Sequence, residues 1–450
     1  MAITAPRGTQ DVAPSDSYKW QFVERTVLET AALFGFREIR TPTFEQIELF
    51  QRGVGNTTDV VQKEMFEVKG QKGKDIFALK PEGTAGVVRA ALENGFLNDA
   101  LPLKVCYVTP CFRHERPQAG RLREFHQFGC EAFGSKSPYA DVELISLVDH
   151  ILKLFGVKNI SLNINSIGCK TCRAEYHAAL QAYFAQYKDQ LCDTCLERLD
   201  KNPMRILDCK SPTCGEIAEN APVVTDYLCD ECKAHFTAVK RGLTKLGIAY
   251  VVNPKIVRGL DYYTKTVFEF VSSEIGAQGT VVGGGRYDGL VEELGGKPAP
   301  ALGFAMGIER FLLLFDAQGI ELPKPSVCDL YIGSIGIPAG EKAMEIADKL
   351  RTEGFSVQFD IMDRSVKAQM KYANKLGAKM SMILGDNELV TGKAQIKDMA
   401  TGEQKEIDFE NELVNVLYDA ALAAEADALA GQLGEDAFKR IMQLGNEKTE

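Results

Sequence analysis

The sequence predicts an α+β domain that is interrupted by a helical insertion and followed by a smaller α/β domain. Two strand-like segments surround a polar loop within residues 105–133, a cysteine-rich helical pattern runs from Cys169 to about Arg241, and strands alternate with helices after residue 327. The predicted boundaries are 1–325 for the first domain with its insertion at about 166–241, 327–422 for the second domain, and 423–450 for a peripheral helical tail.

The first domain begins with a helical pattern and then turns to strands. Residues 18–34 carry apolar side chains at helical spacing and are followed by Gly35, a plausible C-cap. The segment FREIRTPTFE predicts a strand that stops at Pro42. Strand patterns return over residues 247–315, where GFAMGIER predicts a strand that turns directly into a helix. Two prolines in LPKPSV mark the boundary to the second domain.

The second domain alternates strands with helices. The predicted strands are DLYIGSI, SVQFDI, KMSMILG and KAQIKDM, an order typical of a small α/β domain with a largely parallel sheet. Its second helix carries basic side chains, the lysines at four-residue intervals: Arg364, Lys367, Lys371, Lys375 and Lys379. Such a stripe is either a solvated helix face or a local surface for phosphates.

Composition favours a globular protein without a membrane segment. Hydrophobic residues make up 45% and charged residues 25% of the chain. Residues 1–20 have no signal-peptide core, and the most apolar stretch, 301–315, is interrupted by Glu309 and Arg310, so we expect a cytoplasmic protein with no membrane span. The net charge of -10 means that any contact with phosphates depends on local basic surfaces.

Eight of the twelve cysteines lie between Cys169 and Cys232, a crowding more typical of a metal module than of a disulfide framework. Two CxxC pairs have the spacing of a four-cysteine site and predict one structural zinc ion with the ligands Cys169, Cys172, Cys192 and Cys195. The remaining four could form a second set or exchange partners with the first: Cys209, Cys214, Cys229 and Cys232. The alternative is that all eight are small, half-buried thiols in a reducing cytosol.

The most polar segment of the first domain is CFRHERPQAGRLREFHQFGCE. Strand alternation places Gln127 and Glu131 on one face, while Arg113 stands at the end of the preceding strand. The loop between them is basic, with Arg116, Arg121 and Arg123. This combination suits an anionic substrate beside a polar, cationic one. A salt-bridged hairpin with a solvated loop is the alternative.

Three further segments carry candidate binding groups. RGLDYYTKTVFEF brings an arginine, an aspartate and paired tyrosines into a strand, and GTVVGGGRYDGLV has glycines that allow close approach of the backbone. GFAMGIERFLLL places Arg310 one turn into a helix, where a guanidinium can stack on a base and meet a phosphate. The structural alternatives are ordinary strand tyrosines, a hairpin bend and an arginine paired with a carboxylate. Neither the dinucleotide GxGxxG nor the P-loop pattern is present.

Taken together, these segments resemble the class II aminoacyl-tRNA synthetases. FRHERP and REFHQ resemble their second signature motif, GFAMGIER the third, and the 18–34 helix with FREIRTP the first. RGLDYY and GGGRYDGLV resemble the two signature segments of the histidyl-tRNA synthetases, and the resemblance runs from Arg7 to about residue 420. It implies an antiparallel catalytic sheet flanked by helices, a C-terminal anticodon-binding domain, and a homodimer formed through residues 18–42.

The resemblance also implies an activity and its residues. The enzyme would use ATP and Mg²⁺ to convert L-histidine to histidyl-adenylate and would transfer the histidyl group to tRNA(His). Residues implied for histidine are Glu82, Gly83, Thr84, Arg113, Gln127, Glu131, Arg258, Tyr262 and Tyr263. Those implied for ATP are Arg113, Glu115, Arg121 and Arg310. Arg258 and Arg113 would be catalytic, with Arg258 similar to the histidyl-specific arginine that stands where other class II enzymes place a metal ion.

Two rival functions differ in class from this one. Some relatives with the same catalytic fold are catalytically inactive and serve as regulatory subunits of histidine biosynthesis or as sensors of uncharged tRNA. Such relatives typically lose the ATP arginines or the C-terminal domain, whereas this sequence keeps Arg113, Arg258 and Arg310. A zinc-dependent nucleic-acid-binding module is suggested by the cysteines alone and explains none of the other segments.

Overall fold

The chain divides into two units in the computed structural model, Met1–Pro323 and Lys324–Glu450. The structure describes residues 3–55, 58–70, 76–209, 211–256, 258–276, 279–325 and 327–433. Within these residues, no helix has both the length and the apolar composition that a membrane crossing requires. The predicted tail falls partly outside them, because residues 434–450 are not described.

Eleven strands and ten helices are described in the first unit. The strands are β1 (Arg37–Glu38), β2 (Phe44–Gln46), β3 (Phe66–Lys69), β4 (Ile76–Leu79), β5 (Leu103–Phe112), β6 (Glu124–Phe133), β7 (Ile160–Ser166), β8 (Val251–Val252), β9 (Thr264–Ser272), β10 (Thr280–Arg286) and β11 (Ala301–Gly307). The helices are α1 (Ser17–Leu33), α2 (Ile47–Phe50), α3 (Thr84–Glu93), α4 (Pro138–Leu154), α5 (Lys170–Ala185), α6 (Asp193–Lys201), α7 (Pro212–Glu219), α8 (Asp230–Lys245), α9 (Leu290–Glu293) and α10 (Ile308–Gln318).

The main sheet has eight strands in the order β1-β5-β6-β11-β10-β9-β7-β8. Strands β5, β6, β11, β10, β9 and β7 pair antiparallel in succession, and the short edge strands β1 and β8 pair parallel with β5 and β7. The predicted hairpin is β5–β6, with Leu103 opposite Phe133 and Phe112 opposite Glu124. The prediction of an antiparallel sheet flanked by helices is confirmed. The edge strand β1 is shorter than the predicted strand, since only Arg37–Glu38 pair.

Helices α1, α4 and α10 cover one face of this sheet and form its core. Val23 and Val27 of α1 are fully buried, as the helical spacing of apolar residues predicts, and they share a cluster with Ile145 of α4 and Phe311 of α10. Helix α1 ends at Leu33, and Gly35 follows it with a φ of 81°, a conformation that favours glycine. The core therefore leaves the opposite face of the central strands open for a binding site.

The insertion consists of the four helices α5–α8, which lie between the neighbouring strands β7 and β8. Its apolar side chains belong to the same buried cluster as the paired tyrosines before β9: Tyr176, Leu180 and Phe184 of α5 are grouped with Tyr262 and Tyr263. A polar bridge joins the same regions, because Arg205 Nη2 donates to Asp261 Oδ1 at 2.8 Å. The insertion is thus packed onto the segment that precedes β9.

The second unit contains a five-stranded sheet with four helices. Its elements are β12 (Leu330–Ser334), α11 (Ile337–Thr352), β13 (Val357–Phe359), α12 (Val366–Leu376), β14 (Met380–Leu384), α13 (Asp386–Thr391), β15 (Lys393–Asp398), β16 (Gln404–Asp408) and α14 (Leu413–Leu433). The strand order is β13-β12-β14-β15-β16, with the first two pairings parallel and the last two antiparallel. The prediction of a largely parallel sheet is therefore wrong in its second half. Only residues 385–392 connect β14 to β15, fewer than the roughly dozen residues that a parallel crossover needs, and β15 and β16 form a hairpin.

The predicted basic stripe is shorter than its sequence spacing suggests. Three of its side chains are exposed on α12: Lys367, Lys371 and Lys375. Arg364 precedes the helix and forms an ion pair with Asp360 at 2.8 Å. Lys379 follows the helix and lies 3.0 Å from Asp329. Because α12 ends before residue 379, the four-residue interval no longer defines a common face there.

Candidate active site

A cavity of about 290 Å³ is formed by the central strands of the main sheet and the loops at their ends. All four polar segments singled out in the sequence contribute to it. Its lining residues include Glu82, Thr84, Arg113, Glu115, Arg121, Gln127, Arg258, Tyr262, Tyr263, Glu269, Thr280, Gly283 and Arg310. A cavity of this kind, with few apolar and many charged side chains, is suited to a polar and highly charged substrate.

One end of the cavity is rich in guanidinium groups from the β5–β6 loop. Arg113 donates from Nε to the carbonyl of Pro81 at 2.9 Å, and its guanidinium lies 5.3 Å from the centre of the Phe125 ring. Arg121 forms an ion pair with the buried carboxylate of Glu115. These contacts fix the loop arginines in place, which lowers the entropic cost of binding an anion.

Arg310 reaches the same end of the cavity from the first turn of α10. Its Nε donates to the carbonyl of Gly120 at 2.9 Å and its Nη1 to the carbonyl of Thr280 at 2.8 Å. Burial lowers the pKa of Arg310, and the positive charges of Arg121 and Arg113 lower it further. Three guanidinium groups that repel each other around one cavity form a site for an anion with several charges, such as a polyphosphate.

Arg258 occupies the other side of the cavity, on the segment before β9. It forms an ion pair with Glu269, and its guanidinium lies 5.6 Å from the centre of the Tyr263 ring. Although burial lowers it, the neighbouring Tyr263 and Glu269 raise the pKa of Arg258 above its usual value. A Cβ atom on Gly283 would lie 2.4 Å from a guanidinium nitrogen of Arg258, so glycine at this position of β10 leaves room for the guanidinium where it now lies.

Glu82 and Thr84 are fixed by the start of α3. The carboxylate of Glu82 accepts hydrogen bonds from the backbone N–H groups of Thr84 and Ala85, each at 2.8 Å, and so caps the helix. Burial raises the pKa of Glu82, while these hydrogen bonds oppose the rise. Gly83 stands between them because a Cβ there would lie 2.4 Å from the ring of Tyr107. A carboxylate and a hydroxyl held in this way can receive a substrate ammonium group.

Glu131 lies behind the wall of the cavity and is fully buried. Its carboxylate accepts hydrogen bonds from Thr84 Oγ1 at 2.7 Å, from the Tyr107 hydroxyl at 3.0 Å and from the Tyr287 hydroxyl. Burial raises the pKa of Glu131 from its usual value of 4.5 to about 8, and the hydroxyl donors limit the rise. The structure therefore places Glu131 in a hydroxyl network that supports Thr84.

A Glu131→Gln variant should change how stability depends on pH. The unfolded chain releases the Glu131 proton near pH 4.5, whereas the folded protein keeps it up to about pH 8. The contribution of Glu131 to the free energy of unfolding is therefore greatest below pH 4.5 and falls as the pH rises to 8. Each unit of difference between the folded and unfolded pKa corresponds to about 1.4 kcal/mol. We expect the free energy of unfolding of the wild type to fall by a few kcal/mol more than that of Glu131→Gln across this range.

Thermal or denaturant unfolding at several pH values measures this difference, with the exposed Glu292→Gln as the control. Parallel pH profiles for the wild type and Glu131→Gln would contradict the prediction.

The structure brings nearly all the predicted site residues together. Of the residues implied for histidine and ATP, only Gly83 and Glu131 are not on the lining of the cavity. Sequence reasoning missed three partners: Glu269, which holds Arg258, and Tyr107 and Tyr287, which hold Glu131. Two of them lie in segments that the sequence analysis had already identified, Tyr287 in GGGRYDGLV and Glu269 in TVFEF. Their place in these segments could have marked them as candidates.

The cysteines form two clusters, and the predicted grouping is wrong. The proximal cluster contains Cys169, Cys172, Cys229 and Cys232, and the distal cluster contains Cys192, Cys195, Cys209 and Cys214. The predicted set joined Cys169 and Cys172 to Cys192 and Cys195, but these two pairs stand at the starts of different helices, α5 and α6. Each pair meets cysteines that come later in the chain, and the grouping is set by helix packing.

The antiparallel sheet contains the β5–β6 hairpin, and Arg310 stands on α10, the helix that follows the neighbouring strand β11. A cavity lies between them. Together these features define the catalytic domain of a class II aminoacyl-tRNA synthetase. Comparison with known families agrees. Residues 8–311 match the family model described as histidyl-tRNA synthetase, and residues 329–419 match that of an anticodon binding domain. The chain belongs to the histidyl-tRNA synthetase family.

Individual relatives support the same assignment. Histidine--tRNA ligase of Acetivibrio thermocellus is 54% identical over 407 residues, which are 90% of this chain and 97% of the relative. The apo histidyl-tRNA synthetase of S. aureus superimposes with a TM-score of 0.79 at 39% identity, covering 92% of this chain and all of that one.

A Bacillus halodurans structure described as an ATP phosphoribosyltransferase regulatory subunit/histidyl-tRNA synthetase has a TM-score of 0.61 at 22% identity, covering 85% of this chain and 97% of that one. This last likeness is one of fold alone, and the regulatory alternative is not favoured.

Proposed function

We propose that this chain activates L-histidine with ATP to histidyl-adenylate and transfers the histidyl group to tRNA(His). The observation that carries this proposal is the single cavity that joins a three-arginine anion site to a pocket containing Glu82, Tyr263 and Arg258. The two parts match the two substrates of the first step. ATP fits the arginine side, and a zwitterionic amino acid with a polar ring fits the other.

ATP would be held by Arg113, Arg121 and Arg310. Arg121 and Arg113 flank the loop after β5, and Arg310 is tied to Gly120 of the same loop, so the three charges surround one volume. Mg²⁺ would accompany the nucleotide and neutralise its β- and γ-phosphates. The carboxylates on this part of the lining are Glu115 and Glu309, and oxygen donors of this type suit Mg²⁺.

In the first step, a carboxylate oxygen of histidine attacks the α-phosphorus of ATP. A new bond forms between this oxygen and the α-phosphorus. The bond between the α-phosphorus and the oxygen that bridges to the β-phosphate breaks, and pyrophosphate leaves. Negative charge develops on the oxygens of the α-phosphate as this happens. Arg258 and Arg113 line the cavity from opposite sides, and fixed guanidinium groups stabilise such charge without reorganising.

Histidine would be oriented by both walls of its pocket. Glu82 and Thr84 receive the ammonium group, while Gln127 lies near the carboxylate. Tyr262 forms the wall, its ring 4.7 Å from that of Tyr263, and the Tyr263 hydroxyl can meet a ring nitrogen of the imidazole.

Glu131 uses three of the roughly four acceptor positions of a carboxylate on hydroxyl groups. It therefore acts from behind the wall, by ordering the hydroxyl groups of Thr84, Tyr107 and Tyr287.

The second step needs tRNA, and the C-terminal unit would bind its anticodon. The terminal ribose hydroxyl of tRNA attacks the acyl carbon, AMP leaves, and a phosphate oxygen of the adenylate accepts the hydroxyl proton. The exposed lysines of α12 offer a local positive surface on an otherwise acidic protein. We place this activity in the cytoplasm.

We also propose that the chain forms a homodimer through the region around residues 18–42. Two large apolar side chains at or beside it are exposed in the single chain, Leu33 at 82% and Phe44 at 54%. Exposed apolar surface of this kind is typical of an interface. Sedimentation showing a stable, active monomer would contradict the dimer.

Histidine-dependent exchange of labelled pyrophosphate into ATP tests the proposed function directly. If the chain is a synthetase, we expect exchange that depends on histidine and proceeds without tRNA. A regulatory subunit or a zinc-dependent nucleic-acid-binding module would show none. The absence of exchange from a folded protein that binds ATP would overturn the proposal.

A further inference from the structure

The eight cysteines of the insertion are arranged as two separate sets of four sulfur atoms. Within each cluster, all ligand atoms lie within 4.8 Å of one another. In the proximal cluster, Cys169 Sγ lies 3.6 Å from Cys172 Sγ and 4.0 Å from Cys229 Sγ. In the distal cluster, Cys192 Sγ lies 3.9 Å from Cys209 Sγ.

These distances fit a tetrahedral metal ion and do not fit disulfides. Four sulfurs at about 2.3 Å from a zinc ion stand about 3.8 Å apart at tetrahedral angles, close to the sulfur–sulfur distances in both clusters. A disulfide requires about 2.05 Å, and none of the eight cysteines of the two clusters forms one. Cysteines that served only as buried apolar side chains could each pack at a separate place in the insertion. Burial alone therefore does not explain why the eight sulfurs form two groups of four.

The starts of the insertion helices explain how the sulfurs converge. Cys169 and Cys229 are the residues before the first turns of α5 and α8, and Cys172 and Cys232 lie within those turns. A CxxC pair at a helix start therefore directs both of its sulfurs to one point. The distal cluster uses the same arrangement at α6, and completes it with Cys214 from the first turn of α7 and Cys209 from the loop before it.

Backbone amides at these helix starts point to the sulfurs. The N–H of Cys229 donates to Cys172 Sγ at 3.2 Å, and the N–H of Cys192 donates to Cys214 Sγ at 3.3 Å. Amides that stabilise negative charge on sulfur are a regular accompaniment of thiolate ligands.

We propose that the insertion binds two structural zinc ions, one in the proximal cluster and one in the distal cluster. The proximal ion joins the start of α5 to the start of α8, and so ties the first helix of the insertion to the last. The distal ion joins α6 to α7 in its interior. Both sites are fully coordinated by four thiolates and leave no position for a substrate. The proposal does not depend on the proposed function.

Metal analysis of the full-length protein, purified without chelator, tests the proposal first. We expect about two equivalents of zinc per chain, and X-ray absorption at the zinc edge should show four sulfur neighbours at about 2.3 Å. Less than about 0.2 equivalent with all eight thiols titratable would overturn it, as would nitrogen or oxygen ligands at either ion. This measurement uses the wild type and is independent of how the variants fold.

Zinc counts of paired variants then test the grouping. Cys172→Ser with Cys232→Ser removes two ligands from the same cluster and should leave about one zinc, whereas Cys172→Ser with Cys195→Ser disrupts both clusters and should leave none. The grouping of Cys169 and Cys172 with Cys192 and Cys195 gives the opposite result for both pairs. Cys328→Ser, in the second unit, is the control and should keep two. Native mass spectrometry of the folded variants gives the counts, and the opposite pattern would overturn the assigned ligand sets.

Discussion

Replacing Arg258 by lysine should lower the rate of histidine-dependent pyrophosphate exchange by about 10²–10³. Lysine keeps the positive charge but loses the planar, multi-donor group that pairs with Glu269. The charge on the α-phosphate appears only as the adenylate forms. The loss should therefore fall mainly on the rate of adenylate formation, and histidine binding should change much less.

Single-turnover measurements of adenylate formation, together with the affinity for histidine at equilibrium, separate the two effects. The exposed Lys255→Arg, three residues earlier, is a matched control that should retain wild-type exchange. Exchange by Arg258→Lys within about threefold of the wild type would remove Arg258 from the catalytic step.

Gly283→Ala should also cripple adenylate formation, although it changes no polar group. The added Cβ would lie 2.4 Å from one terminal nitrogen of Arg258 and 2.6 Å from the other, so the guanidinium must move. A displacement of about 1 Å in a catalytic group can cost about 10²-fold in rate, and we expect a loss of this size. The overall fold should persist, because methyl insertion into a well-packed site typically costs about 1–3 kcal/mol.

Gly289→Ala is the matched control for this variant, because it lies in the same sequence segment and its added Cβ would make only an ordinary contact at 3.6 Å. It should retain nearly full exchange. A fully active Gly283→Ala with an unchanged melting temperature would show that the position of Arg258 against β10 is not required.

Local periodicity predicted only part of the site, such as the shared strand face of Gln127 and Glu131. Glu82, Thr84 and the role of Arg258 were implied by the family resemblance. The β5–β6 hairpin, the strand-to-helix turn at Arg310 and the paired tyrosines were all predictable, and all of them line one cavity. The residues that hold these groups in place were not predictable in the same way. Glu269 stands opposite Gly283 on the neighbouring strand, and such a register depends on how distant segments pair.

The same limit explains the two errors. CxxC spacing shows which cysteines are adjacent, but the proximal cluster unites residues 60 positions apart, as Cys169 and Cys229 do, through the packing of α5 against the end of the insertion. In the second unit, alternation of strands and helices predicted parallel pairing. Helix α13 and its flanking residues, 385–392, are too short for a parallel crossover between β14 and β15, and β15 then pairs with β16 as a hairpin.

The bridge between Arg205 and Asp261 has a consequence for protein engineering. Asp261 lies three residues after Arg258, and the insertion that supplies Arg205 also packs its aromatic side chains into the cluster of Tyr262 and Tyr263. Strands β7 and β8 are neighbours, so a foreign insertion could be joined to them directly. Such a chimera would nevertheless lose the contacts that the original insertion makes with Asp261 and with the cluster of Tyr262 and Tyr263. Grafts between relatives therefore need to carry the insertion and the RGLDYY segment together as one transplantable part.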